Sequence, residues 1–223
     1  TSKAFVALKS DGSVVTWGDP DYGGDGPRID VDGPFDSIYS TGHAFAALKK
    51  DGNVVTWGDS RYGGGDTDVT ELLSPSEDVK VVRLYSTDTA FAALKSDGSV
   101  VMWGNGMQTT AIQNIDKIYT NQHTFAAIKT NHSVVAWGED KYGGTVPTEL
   151  ADEGAGVVKI YSSSGAFAAL KSDGSVVTWG LTHHGGDSRP YNNDPNDTLN
   201  YNECGITKGH ISSGVVKIYS TSR

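Results

Sequence analysis

The chain has 223 residues, 20% of them charged, 37% hydrophobic and 28 of them glycine, which excludes a disordered profile and leaves enough chain to bury a sizeable core. A formal net charge of −9 argues against a nucleic-acid partner or an anionic membrane surface, because phosphate binding draws on clustered Lys and Arg. No run approaches the roughly 18 apolar residues of a membrane helix, and the single cysteine, Cys204, excludes an internal disulfide framework and a four-cysteine zinc site.

From the N-terminus the first element is AFVALKSDGSVVTWG, Ala4 to Gly18, two short apolar runs around Ser-Asp-Gly. Such a pair flanking Asp-Gly predicts a β-hairpin, since glycine supplies the positive φ that the turn demands. The string returns four times, ending at Gly58, Gly104, Gly138 and Gly180. Successive tryptophans, Trp17, Trp57, Trp103, Trp137 and Trp179, lie 40, 46, 34 and 42 residues apart, and Phe5, Phe45, Phe91, Phe125 and Phe167 keep the same intervals. All variation in length therefore falls after Trp-Gly. There most copies carry Asp-x-x-Tyr-Gly-Gly, at Asp19 to Gly24 and Asp59 to Gly64, with Glu139 to Gly144 in the fourth.

A further strand precedes each later hairpin, as in Val157 to Ser162. The second strand of each repeat is rich in alanine and apolar on both faces, which suits a strand sandwiched between neighbouring sheets. A period near 40 residues fits one propeller blade. The expected fold is thus all-β, a single domain over 1–223 forming a β-propeller of about five blades. The chain opens inside a repeat at Ala4 and stops after the strand Val215 to Ser220, so the expectation is a ring closed by pairing that C-terminal strand with the N-terminal hairpin.

The string IYSTGHAFAALKKDGNVVTWGDSRYGG, Ile38 to Gly64, resembles the regulator-of-chromosome-condensation repeat: Gly-x-x-His before an Ala-Leu strand, an Asp-Gly turn, then Trp-Gly and a Gly-containing loop. The resemblance covers nearly the whole chain. It implies a propeller, commonly of seven blades, in a family that includes guanine-nucleotide exchange factors, ubiquitin-ligase recognition domains and protein-type β-lactamase inhibitors. This chain has five copies, and Tyr-Ser where the family more often has Ala-Cys, which weakens transfer of exchange-factor activity.

Residues repeated in every copy read as structure. The tryptophans are blade-packing elements, and the turn aspartates Asp11, Asp51, Asp97 and Asp173 are explained by their Asp-Gly context. Ser40, Ser86, Thr120, Ser162 and Ser220 lack a unique base and orienting group. Lys9, Lys49, Lys95, Lys129 and Lys171 read as solvated charges at one rim. His43 and His123 align with Lys3, Thr89 and Gly165, a mixture that no metal ring would use. His183-His184 alone does not make a metal site, and the Gly-Gly pairs lack the Gly-Lys-Ser/Thr ending of a phosphate loop. No catalytic residue, metal or cofactor is expected. Two sequons, at Asn131 and Asn196, matter only in a secretory setting.

The interruptions are where function is expected. A long insertion loop, 181–214, carries His183, His184, Asp187, Arg189, Tyr191, Asp194, Tyr201 and Cys204, and loops on a rigid scaffold concentrate binding residues. The loops Asp19 to Phe35 and Asp59 to Asp78 come second, with Tyr22, Arg28, Arg61 and Tyr62. The expected function is a non-enzymatic protein-interaction or scaffold module with a protein partner. The alternatives are a small-ligand or glycan-binding propeller, and an enzyme or enzyme inhibitor with its site in the 181–214 insert. A chain starting at Thr1 and rich in Ser, Thr and Asn points to a processed product that is secreted or in an organellar lumen.

Overall fold

In the computed structural model the residues described are 1–26, 34–65, 73, 76, 78–105, 107, 112–187 and 209–220. They form two compact units, Thr1–Ile115 and Asp116–Arg223, built from antiparallel sheets. Unit one holds a two-stranded sheet, β1 (Ala4–Leu8) with β2 (Val14–Gly18), and two three-stranded sheets. These are β3 (Phe35–Ser40), β4 (Ala44–Lys49) and β5 (Val54–Gly58), then β6 (Val81–Ser86), β7 (Ala90–Lys95) and β8 (Val100–Gly104). The sheet of β9 (Ile115–Thr120), β10 (Thr124–Lys129) and β11 (Val134–Gly138) opens unit two. It is followed by β12 (Val157–Ser162), β13 (Ala166–Lys171) and β14 (Val176–Gly180), with β15 (Gly209–Ile211) added beside β14. A helical turn, Thr148–Ala151, fills the fourth gap.

Every Ser-Asp-Gly joins a hairpin as the sequence predicts. The Gly98 N–H donates to the Lys95 carbonyl at 3.0 Å and Gly98 has φ +77°, so the pair forms the second half of a four-residue turn. Asp97 accepts from the Ser99 N–H at 2.9 Å and from the Ser99 hydroxyl at 2.6 Å, and Asp11 and Asp173 repeat both bonds. In the fourth copy Asn131 does the same work for Ser133, with His132 at φ +65° in place of glycine.

The Ser99 hydroxyl holds the Asp97 carboxyl below its ordinary range, as Ser13 and Ser175 do for Asp11 and Asp173. A carboxyl depressed on folding adds stability above its unfolded pKa, and that stability fades as pH falls through the lowered folded value. The expected result is a urea midpoint that drops as pH falls below the ordinary carboxylate range. Asp97→Asn should flatten that slope while keeping the turn, as Asn131 already does.

The alanines explain themselves once burial is assigned. Ala44 and Ala46 of β4 pack with Leu84, Phe91 and Trp103 of the next sheet. Phe45 and Ala47, on the other face, pack with Ala4, Val6 and Val14 of the preceding hairpin. In unit two Ala126 and Ile128 meet Ile160, Phe167 and Trp179 in the same way. A strand covered on both faces by adjacent sheets has room for a methyl group at most positions, which overrides alanine's low strand propensity.

Candidate functional site

Each sheet has two ends. The Asp-Gly turn lies at one, and the Tyr-Gly-Gly turn follows the third strand at the other. At the latter, Asp19 and Asp59 cap a short 3-10 turn by accepting from the Asp21 and Arg61 N–H groups at 3.1 and 2.9 Å. Glu139, one methylene longer, makes no such cap. The first turn glycine is then pressed onto the next sheet. A Cβ on Gly63 would lie 2.8 Å from both the Phe91 and Trp103 rings, and the Trp103 indole N–H donates to the Gly63 carbonyl at 3.1 Å. Trp57 on Gly23 and Trp179 on Gly143 repeat that bond. Trp137, whose preceding gap has no Tyr-Gly-Gly, has a buried indole N–H with no partner among the described residues.

A second set of residues ties the turn to its own sheet, and sequence reasoning missed it. Thr1 and Thr41 donate a hydroxyl to the carbonyls of Tyr22 and Tyr62. The Asn121 amide donates to the Tyr142 carbonyl, and the Ser163 hydroxyl to that of His184. Each stands three residues before the second strand, and Thr41 and Asn121 also accept the N–H of that strand's first residue. The signal was a small polar residue at one offset in every copy, hidden because Thr, Asn and Ser alternate there.

With the backbone so fixed, the side chains of two neighbouring turns meet in unit one. The Lys3 ammonium sits 4.5 Å from the Tyr22 ring centre. Tyr22 stacks on His43 at 4.8 Å, and His43 on Tyr62 at 4.0 Å. Arg61, largely exposed, grips Asp59 through two bonds of 3.1 and 2.7 Å and holds that carboxyl below its ordinary range. These residues, with Asp19 and Asp21, line a depression of about 550 Å³. The Nδ1 of His43 is buried in the stack with no hydrogen-bond partner among the described residues. In unit two His123 stacks on Tyr142 at 3.8 Å, with Lys141 at 4.6 Å from that ring.

The structure thus brings Tyr22, Arg61 and Tyr62 together and adds His43 between them. His183 and His184 belong to a fifth copy of the same turn, Thr182–His184, with His184 in the tyrosine's place. Its Nδ1 lies 2.8 Å from the Ser164 hydroxyl, and both histidines are exposed. Asp187 follows, half-buried, just after this turn. Arg28, Arg189, Tyr191, Asp194, Tyr201 and Cys204 lie outside the described residues. Among the described residues no three His, Cys, Asp or Glu side chains gather as a metal site would need.

No protein-family model and no curated protein sequence matches the chain. Solved structures do. Human WBSCR16 aligns at TM-score 0.54 and 18% identity over 84% of this chain and 62% of its own. The ectodomain of the Physcomitrella patens receptor kinase CR4 aligns at 0.55 and 18%, over 80% of this chain and 50% of its own. Prp20p from Saccharomyces cerevisiae aligns at 0.52 and 23%, over 81% of this chain and 50% of its own. The chain therefore spans between half and 62% of the length of these proteins. At such identities the likeness shows the fold alone: an all-β chain of antiparallel sheets, of the propeller type found in Prp20p, the yeast RCC1.

Proposed function

We propose that the chain is a non-enzymatic protein-interaction module that contacts its partner through the Tyr-turn end of its sheets and the loops between repeats. One observation carries this reading. The residues common to all copies are largely consumed by turns and packing, whereas Lys3, His43 and Arg61 differ from copy to copy and converge on one depression with Tyr22 and Tyr62, the tyrosines of two neighbouring Tyr-Gly-Gly turns. Tyrosine and arginine at a solvent-facing hollow are the residue types that dominate protein interfaces. The fold supports the same reading, since the Prp20p structure was described with its binding to Gsp1p and histones. The finer architecture belongs to this proposal: five repeats make five blades of one ring, closed by 215–220 against the hairpin that begins at Ala4. The 181–214 insert, with Arg189, Tyr191, Asp194 and Tyr201, supplies a second contact region.

The test is affinity capture from the native source followed by titration of the captured protein. Arg61→Ala is expected to weaken binding about tenfold, in line with a hot-spot truncation. Deleting 188–208, which leaves β14 and β15 in place, should also reduce capture while the thermal midpoint holds. Unchanged affinity in both variants would overturn the proposal.

A further inference from the structure

Among the described residues, each Tyr-Gly-Gly turn holds a cation beside both a carboxylate and the tyrosine ring, and the cation does not always come from the same place. In the second copy Arg61 lies 2.7 Å from Asp59 and 5.9 Å from the Tyr62 ring centre. In the fourth, Lys141 lies 3.1 Å from Glu139 and 4.6 Å from the Tyr142 ring centre. The first turn has Asp21 at the position of Arg61. There Lys3, from just before β1, takes the cation's place, 4.0 Å from Asp19 and 4.5 Å from the Tyr22 ring centre. The backbone of the first two turns is already held by the Asp caps and by Thr1 and Thr41, so these turns do not need the cation heads.

What the unit-one depression can receive follows from what is already taken. His43 stacks on both Tyr22 and Tyr62, Lys3 lies over Tyr22 and Arg61 over Tyr62. A partner's lysine, arginine or aromatic ring would have to displace one of these groups to reach a ring face. The cation heads are still offered. The Arg61 side chain is 80% exposed against 16% for Asp59, and Lys3 57% against 36% for Asp19. Asp59 also engages only part of the guanidinium's fork of N–H donors. Of the carboxylates on the described lining, Asp19 and Asp59 are half-buried beside their cations and Asp21 is exposed.

We propose that this depression receives an acidic peptide segment of the partner, Arg61 taking a carboxylate in a forked contact and Lys3 attracting it or its neighbour as a point charge. This rests on the interaction reading above and names the partner's chemistry at that site. The grip of Asp59 and the Tyr22–His43–Tyr62 stack hold the cations before the ligand arrives, so less side-chain freedom is lost on binding. The chain's net charge of −9 repels an acidic segment at long range. Recognition is therefore by contact, and it persists at physiological salt, where fields are screened beyond about 8 Å. In unit two the order of exposure is reversed, with Glu139 at 53% and Lys141 at 43%. That turn shows its acid to solvent and is not a receptor for the same ligand.

The experiment follows the Arg61 side-chain N–H and the Tyr62 amide by NMR in the isotope-labelled full chain at physiological salt. The probes are end-blocked tetraglutamate, tetraglutamine and tetralysine. Tetraglutamate alone is expected to shift both signals. Read on the Tyr62 amide, its affinity should fall about tenfold with Arg61→Ala and about threefold with Arg61→Lys or Lys3→Ala, and should hold with Lys141→Ala. Lys3, Arg61 and Lys141 are all exposed, so the variants keep the fold. Shifts from tetralysine or tetraglutamine, tetraglutamate binding that Arg61→Ala leaves unchanged, or no shift from any peptide would overturn the proposal. A captured partner that Arg61→Ala weakens but tetraglutamate does not displace would remove the acidic chemistry and leave the interaction reading standing.

Discussion

Trp103→Ala is expected to lower the stability of the chain by about 4 kcal/mol, the range for removing a fully buried aromatic side chain. Trp103 is 1% exposed, stacks on Phe91 at 5.3 Å and packs with Leu84, Val101 and Ala44 from two sheets. Its loss leaves a cavity where two sheets meet and strips the Gly63 carbonyl of its only indole donor. Trp103→Phe separates the two effects. It keeps most of the apolar fill and removes the N–H, so about 1 kcal/mol is expected. Urea unfolding followed by circular dichroism measures both. A Trp103→Ala loss near 1 kcal/mol would show that the tryptophan is not what binds one sheet to the next.

Gly64→Ala is expected to cost about 3 kcal/mol, at the upper end for overpacking. The second glycine of the Tyr-Gly-Gly turn lies on the backbone, and a Cβ there would collide with the Gly58 carbonyl. Backbone on both sides leaves nothing to swing aside. The same collision recurs at Gly24 with Gly18, Gly144 with Gly138 and Gly186 with Gly180, so the Gly-Gly pair and the glycine of Trp-Gly form one packed knot. Gly65→Ala is the control. Gly65 has φ +71° with open space around it, so only backbone strain remains, about 1 kcal/mol. Thermal midpoints of the two variants should differ clearly. Equal midpoints would contradict the knot.

Much of the fold was legible because it repeats. One repeat alone, an Asp-Gly between two apolar runs, predicts a hairpin and no more. Five in phase showed that Phe91 and Trp103 are packing residues and placed every loop after Trp-Gly. The alanine strands could be read as sandwiched because both faces were small. What escaped was the role of residues whose chemistry changes between copies. Thr41, Asn121 and Ser163 perform one task with three side chains, so identity could not reveal it. His43 was set aside because its homologues are Lys3, Thr89 and Gly165. That variation is what leaves it free to slot between Tyr22 and Tyr62, since neither turn needs it. Arg61 and Tyr62 were legible as exposed loop residues, but their meeting with Tyr22 from the preceding repeat depends on the spacing between sheets, which no local pattern carries. His184 was legible as a residue standing where the other copies have their turn pair, at the start of the insert, and the fold has it in the tyrosine's slot of a fifth turn.

The central claim is that the repeated residues build the sheets while the residues that vary do the binding. It is tested most directly by titrating the captured partner against Arg61→Ala and against Lys9→Ala, an exposed lysine present in every copy. The account predicts about a tenfold loss for Arg61→Ala and none for Lys9→Ala. A loss at Lys9 with full affinity at Arg61 would contradict it, because binding would then belong to the repeated rim.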